Sequence, residues 1–337
     1  MREEIKESLM TADEVLDSMY GSFIVGEKNK ENFYFDSVVT DSRNVCKNSL
    51  FVPLIGQSQN GHKYIPQAIE KGATVIFVAE QEYNLEKVRY NEMAAKNEFV
   101  CFVIVENTLT ALQYTAAAYV EKFPYLIKVA VTGSSGKTTT KEMIVSVLKQ
   151  KYNVVYTQGN FNSETGLPLS VFNIRKEHEA AVLEMGISDF GEMHRLSKIA
   201  RPNLCIITNI GLCHLEFLGD RDGVLRAKSE IFDFAAAGAK AIVNGDDDKL
   251  STLKSREDLD VTLFGMNPSN DVYAKQVENL GLDGLQCVIS TPVGEFSAHI
   301  HIPGMHMVYN ALAGTCVGLA LGLTLEEIKA GIESAQT

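Results

Sequence analysis

The sequence predicts an α/β protein of two domains: a small amino-terminal α/β unit, followed by a doubly wound, mostly parallel sheet with a phosphate-binding loop and a small antiparallel edge. Two observations predict it. Residues Ile127 to Leu148 run from an apolar strand through a glycine-containing turn into an amphipathic helix, and beyond them short apolar runs alternate with helical stretches. A chain of 337 residues, 45% hydrophobic and 22% charged, suits two buried cores.

In chain order, the first domain is expected over residues 1–106. Met10 to Tyr20 reads as a short helix opened by Thr11, with Glu14 three residues on, the spacing of a capping box. Strands are expected at Leu50–Leu54, Val75–Val78 and Val100–Val105, with a helix at Ile65–Glu70. Asp41, Ser42 and Arg43 could present a carboxylate, a hydroxyl and a guanidinium to a polar ligand, although a solvated turn is the simpler reading. His62, after Gly61, is equally open.

The second domain is expected over 107–337. Thr108 is expected to cap a helix, Leu109–Phe123, that Pro124 ends. Ile127, Val129 and Val131 then suit a buried parallel strand, and Met143, Ile144, Val147 and Leu148 recur at helical spacing. Between them Gly133, Ser134, Ser135 and Gly136 let the backbone curl so that N–H groups point inward at the positive end of a helix, which favours phosphate. Lys137 supplies an ammonium for the β- and γ-phosphates of ATP, and the Thr138 hydroxyl is placed for Mg2+. One departure stands out: the general pattern has glycine five residues before Gly136, where Val131 occurs.

Further strands are expected at Ala181–Met185, Leu204–Ile210, Ala241–Asn244 and Val261–Phe264, with antiparallel segments Gln286–Ile289 and Glu295–Ile300. Helices Val308–Leu321 and Leu325–Ile332 follow. Ligands of such sheets bind at the carboxyl ends of the strands. Glu184 sits at one such end, where a carboxylate can share a cation with Thr138, unless it merely faces water. His214 follows the strand ending Thr208–Gly211 and would approach the phosphates, but taken alone it reads as structural, and Lys228 reads as a surface residue.

The formal charge of -12 argues against nucleic acid or an anionic membrane as main partner. The six cysteines include no C-x-x-C pair, as expected of reduced thiols. The acidic start MREEIKESLM does not resemble a signal peptide, and the longest apolar run, near Ala313–Leu323, is too short to span a bilayer. A cytoplasmic monomer is expected.

Five segments carry a specific resemblance: TGSSGKTTTKEM (with Thr139 in its Lys-Thr-Thr-Thr run), NFNSETGLPLS from Asn160, EMGISDFGEM from Glu184, TNIGLCHLEFLG from Thr208 and RAKSEIF from Arg226. Together they resemble the Mur ligase family, and TDSR with LFVPLIG and GH (Thr40 to His62) resembles that family's UDP-sugar-binding domain. The order and spacing are most similar to the member that joins D-alanyl-D-alanine to a UDP-N-acetylmuramoyl-tripeptide through an acyl phosphate. The member that adds the third amino acid to a UDP-muramoyl-dipeptide is the alternative.

The resemblance implies ATP at Gly133 to Thr139, one Mg2+ on Thr138 and Glu184, and a second Mg2+ on His214 and a carbamylated Lys228. It implies UDP-muramoyl-peptide along Asp41, Ser42, Arg43, Asn160, Asn162 and Ser163, and adenine at Asn310. Ser163 and Thr165 stand where the family has Asn and Ile, and Met307 replaces an Asn between Gly304 and Asn310. The family continues into a third domain that brings the amine, so a chain stopping at Thr337 is expected to be truncated and inactive alone. A P-loop kinase or GTPase is disfavoured because no N-K-x-D motif follows, and a non-catalytic nucleotide-binding subunit is a third reading.

Overall fold

The computed structural model describes residues 8–26, 33–56 and 58–336, so most of the acidic stretch weighed against a signal peptide lies outside the described residues. The chain divides into two compact units, Met1–Pro124 and Tyr125–Thr337. The helix Thr108–Glu121, which a boundary at 106/107 gives to the second domain, packs on the strand Ala73–Ala79 of the first.

In the first unit a five-stranded sheet runs in the order Phe23–Val25, Cys101–Val105, Ala73–Ala79, Ser49–Phe51, Ser37–Val39. Only the Phe23–Val25 pairing is antiparallel. Phe51, Ile76, Val78, Phe102 and Ile104 fill its core together with Ile65 and Ala68 of the helix Ile65–Glu70. The capping box is present: the Thr11 N–H donates to Glu14 Oε2 at 2.8 Å and the Glu14 N–H to Thr11 Oγ1 at 3.2 Å, opening the helix Ala12–Asp17. The cap of Thr108–Glu121 is not Thr108. The extended residue Asn107 accepts from the N–H groups of Leu109 and Thr110, and the Thr108 hydroxyl donates instead to the Pro53 carbonyl at 2.7 Å. His62 is buried and accepts the Ala79 N–H on Nε2 at 3.0 Å, which makes it a tie to a strand end.

The second unit is a nine-stranded sheet. From one edge it runs Gly294–Ile300, Leu285–Thr291, Val272–Asn279, Asp260–Gly265, Lys240–Asn244, Leu204–Ile207, Ile127–Thr132, Ala180–Glu184, Val154–Tyr156. The two hairpin pairings among Val272–Asn279, Leu285–Thr291 and Gly294–Ile300 are antiparallel and the rest parallel, as the sequence pattern predicts. The edge strand Val154–Tyr156 went unpredicted because three residues are too few to show a period. Val129, Val131, Val182, Leu204 and Ile206 join a core with the helices Lys137–Leu148, His306–Ala320 and Leu325–Glu333. Intervening residues face the other way, where Cys205 Sγ approaches the Ile231 carbonyl at 3.9 Å. The sheet is therefore covered on both faces.

Among the described residues no helix is long and apolar enough to cross a membrane. Lys137–Leu148 and Leu325–Glu333 approach so closely that a Cβ at Gly331 would lie 2.4 Å from Val147 Cα, a backbone atom that cannot yield. Gly331→Ala is therefore expected to destabilise the protein by about 1–3 kcal/mol, read as a lower urea midpoint. An unchanged midpoint would contradict this packing.

Candidate active site

The strand Ile127–Thr132 enters the middle of the parallel sheet and the helix Lys137–Leu148 leaves it, with residues 133–136 between. Gly133 is required by contact: a Cβ there would fall 1.9 Å from Thr208 Oγ1. Gly136 has φ +75° and opens the helix with no side-chain cap. The amides of the first helical turn thus keep the positive partial charge of a helix start.

The adjoining strand end straps this loop. Asn209 gives its carbonyl to the Ser134 N–H and its Oδ1 to the Ser135 N–H, both at 3.0 Å. The Thr208 hydroxyl donates to the Ser135 carbonyl at 2.7 Å, and Ser134 Oγ accepts from the Gly211 N–H at 2.8 Å and from Cys213 Sγ at 3.2 Å. The inward-pointing amides expected at Ser134 and Ser135 are thus taken by Asn209, which leaves the helix opening as the anion-facing part. Lys137 Nζ reaches back to the Gly133 carbonyl at 3.0 Å.

Glu184 ends the neighbouring strand and is 1% exposed. Its Oε1 accepts from the Thr138 hydroxyl at 3.2 Å and from Asn162 Nδ2 at 2.7 Å. Its Oε2 is buried with no hydrogen-bond partner among the described residues. A hydroxyl and a carboxylate with an open oxygen fit Mg2+, which takes one or two protein oxygens and fills its shell with phosphate and water, and the helix N-terminus beside them suits the phosphate. Asn162 also holds the Gly186 N–H, at 2.8 Å, while Ser163 Oγ accepts from the Gly166 N–H at 3.2 Å in a turn, and Asn160 is exposed.

Lys228 is not a surface residue: it is 2% exposed. On the helix Arg221–Ser229 it lies one turn after the buried Val224, so it shares the inward face. Its Nζ has no hydrogen-bond or ion-pair partner among the described residues. Burial pushes the amine down to about 8; Cys213 opposes this and the Lys137 ammonium adds to it, so Lys228 feels both the cradle lysine and the residue beside His214. His214 itself is exposed, in the left-handed region at φ +53°, and opens the short helix Leu215–Leu218. Among the described residues no three His, Cys, Asp or Glu side chains converge on one point, so a second cation would need an oxygen from elsewhere.

A cavity of about 480 Å³ adjoins the helix opening, lined by Ser135, Gly136, Thr139, Asn310 and the rings of Phe264 and Tyr309 among others. Its size suits a nucleoside. A larger cavity, about 690 Å³, lies in the first unit beside Glu80 and Glu106, whose carboxylates make it unsuited to polyphosphate. Also in the first unit, Asp41 caps its own turn and binds Arg43 Nη2 at 2.6 Å, and the Arg43 hydrogen bonds hold the Asp41 carboxyl down to about 2. Ser42 is buried and donates to Gln67 Oε1 at 2.8 Å, while the side chains of Arg43, 83% exposed, and Asp41, 37% exposed, reach solvent. Sequence reasoning missed Thr208, Asn209 and the buried Lys141, although the first two stand within the quoted TNIG.

A model of the Mur ligase middle domain matches residues 131–318, and one of the Mur ligase family catalytic domain matches 35–120. UDP-N-acetylmuramoyl-tripeptide–D-alanyl-D-alanine ligase of Treponema pallidum is 35% identical over 327 residues, covering 96% of this chain and 68% of that protein. The Bacillus subtilis ligase of the same name is 36% identical over 302 residues, covering 90% and 62%. A crystal structure of MurF from Acinetobacter baumannii superimposes with a TM-score of 0.86 at 32% identity, covering 97% of this chain and 68% of that one. MurF of Thermotoga maritima in complex with ADP gives 0.75 at 30% identity, covering 89% and 66%. The chain thus spans about two thirds of the length of these relatives.

Gly133→Ala would force its new methyl group into Thr208, a strain of about 1–3 kcal/mol. The expected result is a roughly tenfold loss of pyrophosphate affinity by calorimetry, partly restored by adding Thr208→Ala. Full affinity in the single variant would sink the cradle assignment.

Proposed function

The chain belongs to the Mur ligase family, and from that premise we propose that it serves ATP-dependent amide formation, joining D-alanyl-D-alanine to UDP-N-acetylmuramoyl-tripeptide. The observation that carries this reading is the buried Oε2 of Glu184, which has no hydrogen-bond partner among the described residues, beside Thr138 at the mouth of a phosphate-binding helix. Lys137 swings from the Gly133 carbonyl to the β- and γ-phosphates, and the rings of Phe264 and Tyr309 with Asn310 enclose the base. Bound Mg2+ neutralises charge as two anions approach; Thr138 and Glu184 would hold it.

An oxygen of the peptide carboxylate attacks the γ-phosphorus as the bond to the β-bridging oxygen breaks, releasing ADP. The amine nitrogen then attacks the acyl carbon, inorganic phosphate leaves with the former carboxylate oxygen, and the nitrogen gives up a proton. Lys137 and the helix opening stabilise the charge on the transferring group, and orientation supplies most of the remaining acceleration. Asn160, Asn162 and Ser163 are proposed as UDP-muramoyl-peptide contacts; for the first unit, taken by itself, Asp41, Ser42 and Arg43 are proposed as such contacts.

Lys228 is proposed to carry a carbamate. Its burial without an anion supports this, because adding carbon dioxide replaces a repelled ammonium with an oxygen ligand that, with His214, can hold a second Mg2+. An amine at about 8 is roughly half neutral at pH 8, against well under ~1% for an ordinary lysine. The adduct is therefore expected to grow as pH rises through 8 and to fade toward pH 6. A carbamate signal from ¹³CO2 by NMR, lost in Lys228→Met, checks it, and no signal at any pH would remove the second cation site.

Calorimetry tests the function. ATP with Mg2+ is expected to bind, with a roughly hundredfold loss in Lys137→Ala, and UDP-muramoyl-tripeptide to bind more tightly than the dipeptide. A reversed peptide preference would assign the ligase for the third residue, and no ATP binding would overturn the reading.

A further inference from the structure

Lys141 lies one turn beyond Lys137 on the cradle helix and is 1% exposed, yet neither phosphate binding nor the cation ligands use it. Its Nζ donates to the Thr157 carbonyl at 2.7 Å and lies 2.9 Å from Glu142 Oε1, while Glu184 Oε2 stands further off, at 3.9 Å. The Tyr156 ring lies 5.7 Å from the same ammonium. A buried ammonium would close on a free buried carboxylate oxygen unless something stronger held it back. Here Thr157 and Glu142 hold it. Thr157 also accepts the Glu184 N–H on Oγ1 at 3.1 Å, so the lysine anchor and the carboxylate are fixed to one residue.

We propose that Lys141 is a positioning residue, parked on Thr157 and Glu142 so that it compensates the Glu184 charge while leaving Oε2 open to a divalent cation. The inference rests on the proposed Mg2+ and ATP site and extends it. Two groups set the arrangement. Without Lys141, Glu184 is a buried carboxylate with its ammonium neighbour gone and turns away from the position it now holds. Without the Glu142 charge, Lys141 shifts onto Oε2 and fills the position the cation needs. Glu142 is 35% exposed, so neutralising it leaves no buried charge stranded.

The experiment measures binding of a fluorescent ATP analogue against Mg2+ concentration, and separately in EDTA, for the wild type, Lys141→Met and Glu142→Gln. Both variants are expected to raise the half-saturating Mg2+ concentration about tenfold, the usual consequence of disturbing a group that orients a metal ligand. Affinity in EDTA should stay within about twofold of wild type, because the cradle itself is intact. Equal losses with and without Mg2+ indicate a purely structural lysine and overturn the proposal, as does an unchanged Mg2+ requirement in Glu142→Gln. Should Lys141→Met fail to fold by circular dichroism, Glu142→Gln decides alone. A wild type that binds the analogue with no dependence on Mg2+ fails the functional reading instead.

Discussion

A carboxylate taken out of water must be compensated, and the second unit is arranged around one such group, Glu184. Three separate stretches converge on it: Thr138 from the cradle helix, Asn162 from the loop after the edge strand, and Thr157 at that strand's end. The loop around Asn162 is in turn bound to the backbone beyond Glu184 through the Gly186 N–H. One buried charge thus sets the relative positions of the helix, the strand end and the loop beside them. Thr138 and Asn162 donate to the carboxylate and Thr157 accepts the Glu184 N–H, so removing any of the three would loosen more than the carboxylate.

On the other side of the cradle the restraint comes from backbone contact. Gly133 lets Thr208 approach to a distance no side chain tolerates, and Asn209 takes the Ser134 amide on its backbone carbonyl and the Ser135 amide on its Oδ1. The segment beyond is clamped again: Asp247 Oδ2 accepts the Ile210 N–H at 2.8 Å, and Arg221 Nε donates to the Ile210 carbonyl at 2.9 Å. Arg221 opens the helix that carries Lys228 inward. Just after that helix, Glu230 accepts from the Gly191 and His194 N–H groups, fixing the start of the helix Glu192–Ala200. The parallel sheet brings these strand ends together, and hydrogen bonds between the loops convert proximity into register.

The sequence made the cradle legible because its cues are local: β-branched residues at alternate positions, two glycines, Lys-Thr, then helical periodicity. Glu184 was legible from its place at a strand end. The chemistry of Lys228 and Lys141 was not, because their burial depends on which helix face meets the sheet. Lys141, in the run Thr-Lys-Glu-Met, looks like a solvated charge until Thr157 is brought beneath it by the strand Val154–Tyr156, itself too short to recognise. The cap at Asn107 escaped for a different reason: Thr108 is an equally good capping residue, and only the pull of the Pro53 carbonyl decides between them. Asp41 to Arg43 remained open on sequence, and their geometry shows a turn in which Arg43 pairs with Asp41 and Ser42 is tied to Gln67.

The substitution at Met307 also acquires a physical meaning. Asn310 is 5% exposed, and its Oδ1 is fixed by the Thr140 hydroxyl at 2.7 Å. Its Nδ2 is left to Met307 Sδ at 3.3 Å, a weak acceptor. An asparagine at 307, as the family pattern has it, could offer the amide a carbonyl oxygen and hold it more firmly. Methionine instead fills the same space, 1% exposed, while leaving the amide hydrogen cheap to redirect. On the proposed reading that hydrogen faces the base across a cavity whose other walls are Phe264 and Tyr309. Tyr309 is itself steadied by Asp246, which accepts its hydroxyl at 3.0 Å. The departure from the family pattern therefore falls where a packing role can be exchanged without disturbing the oxygen that Thr140 locks.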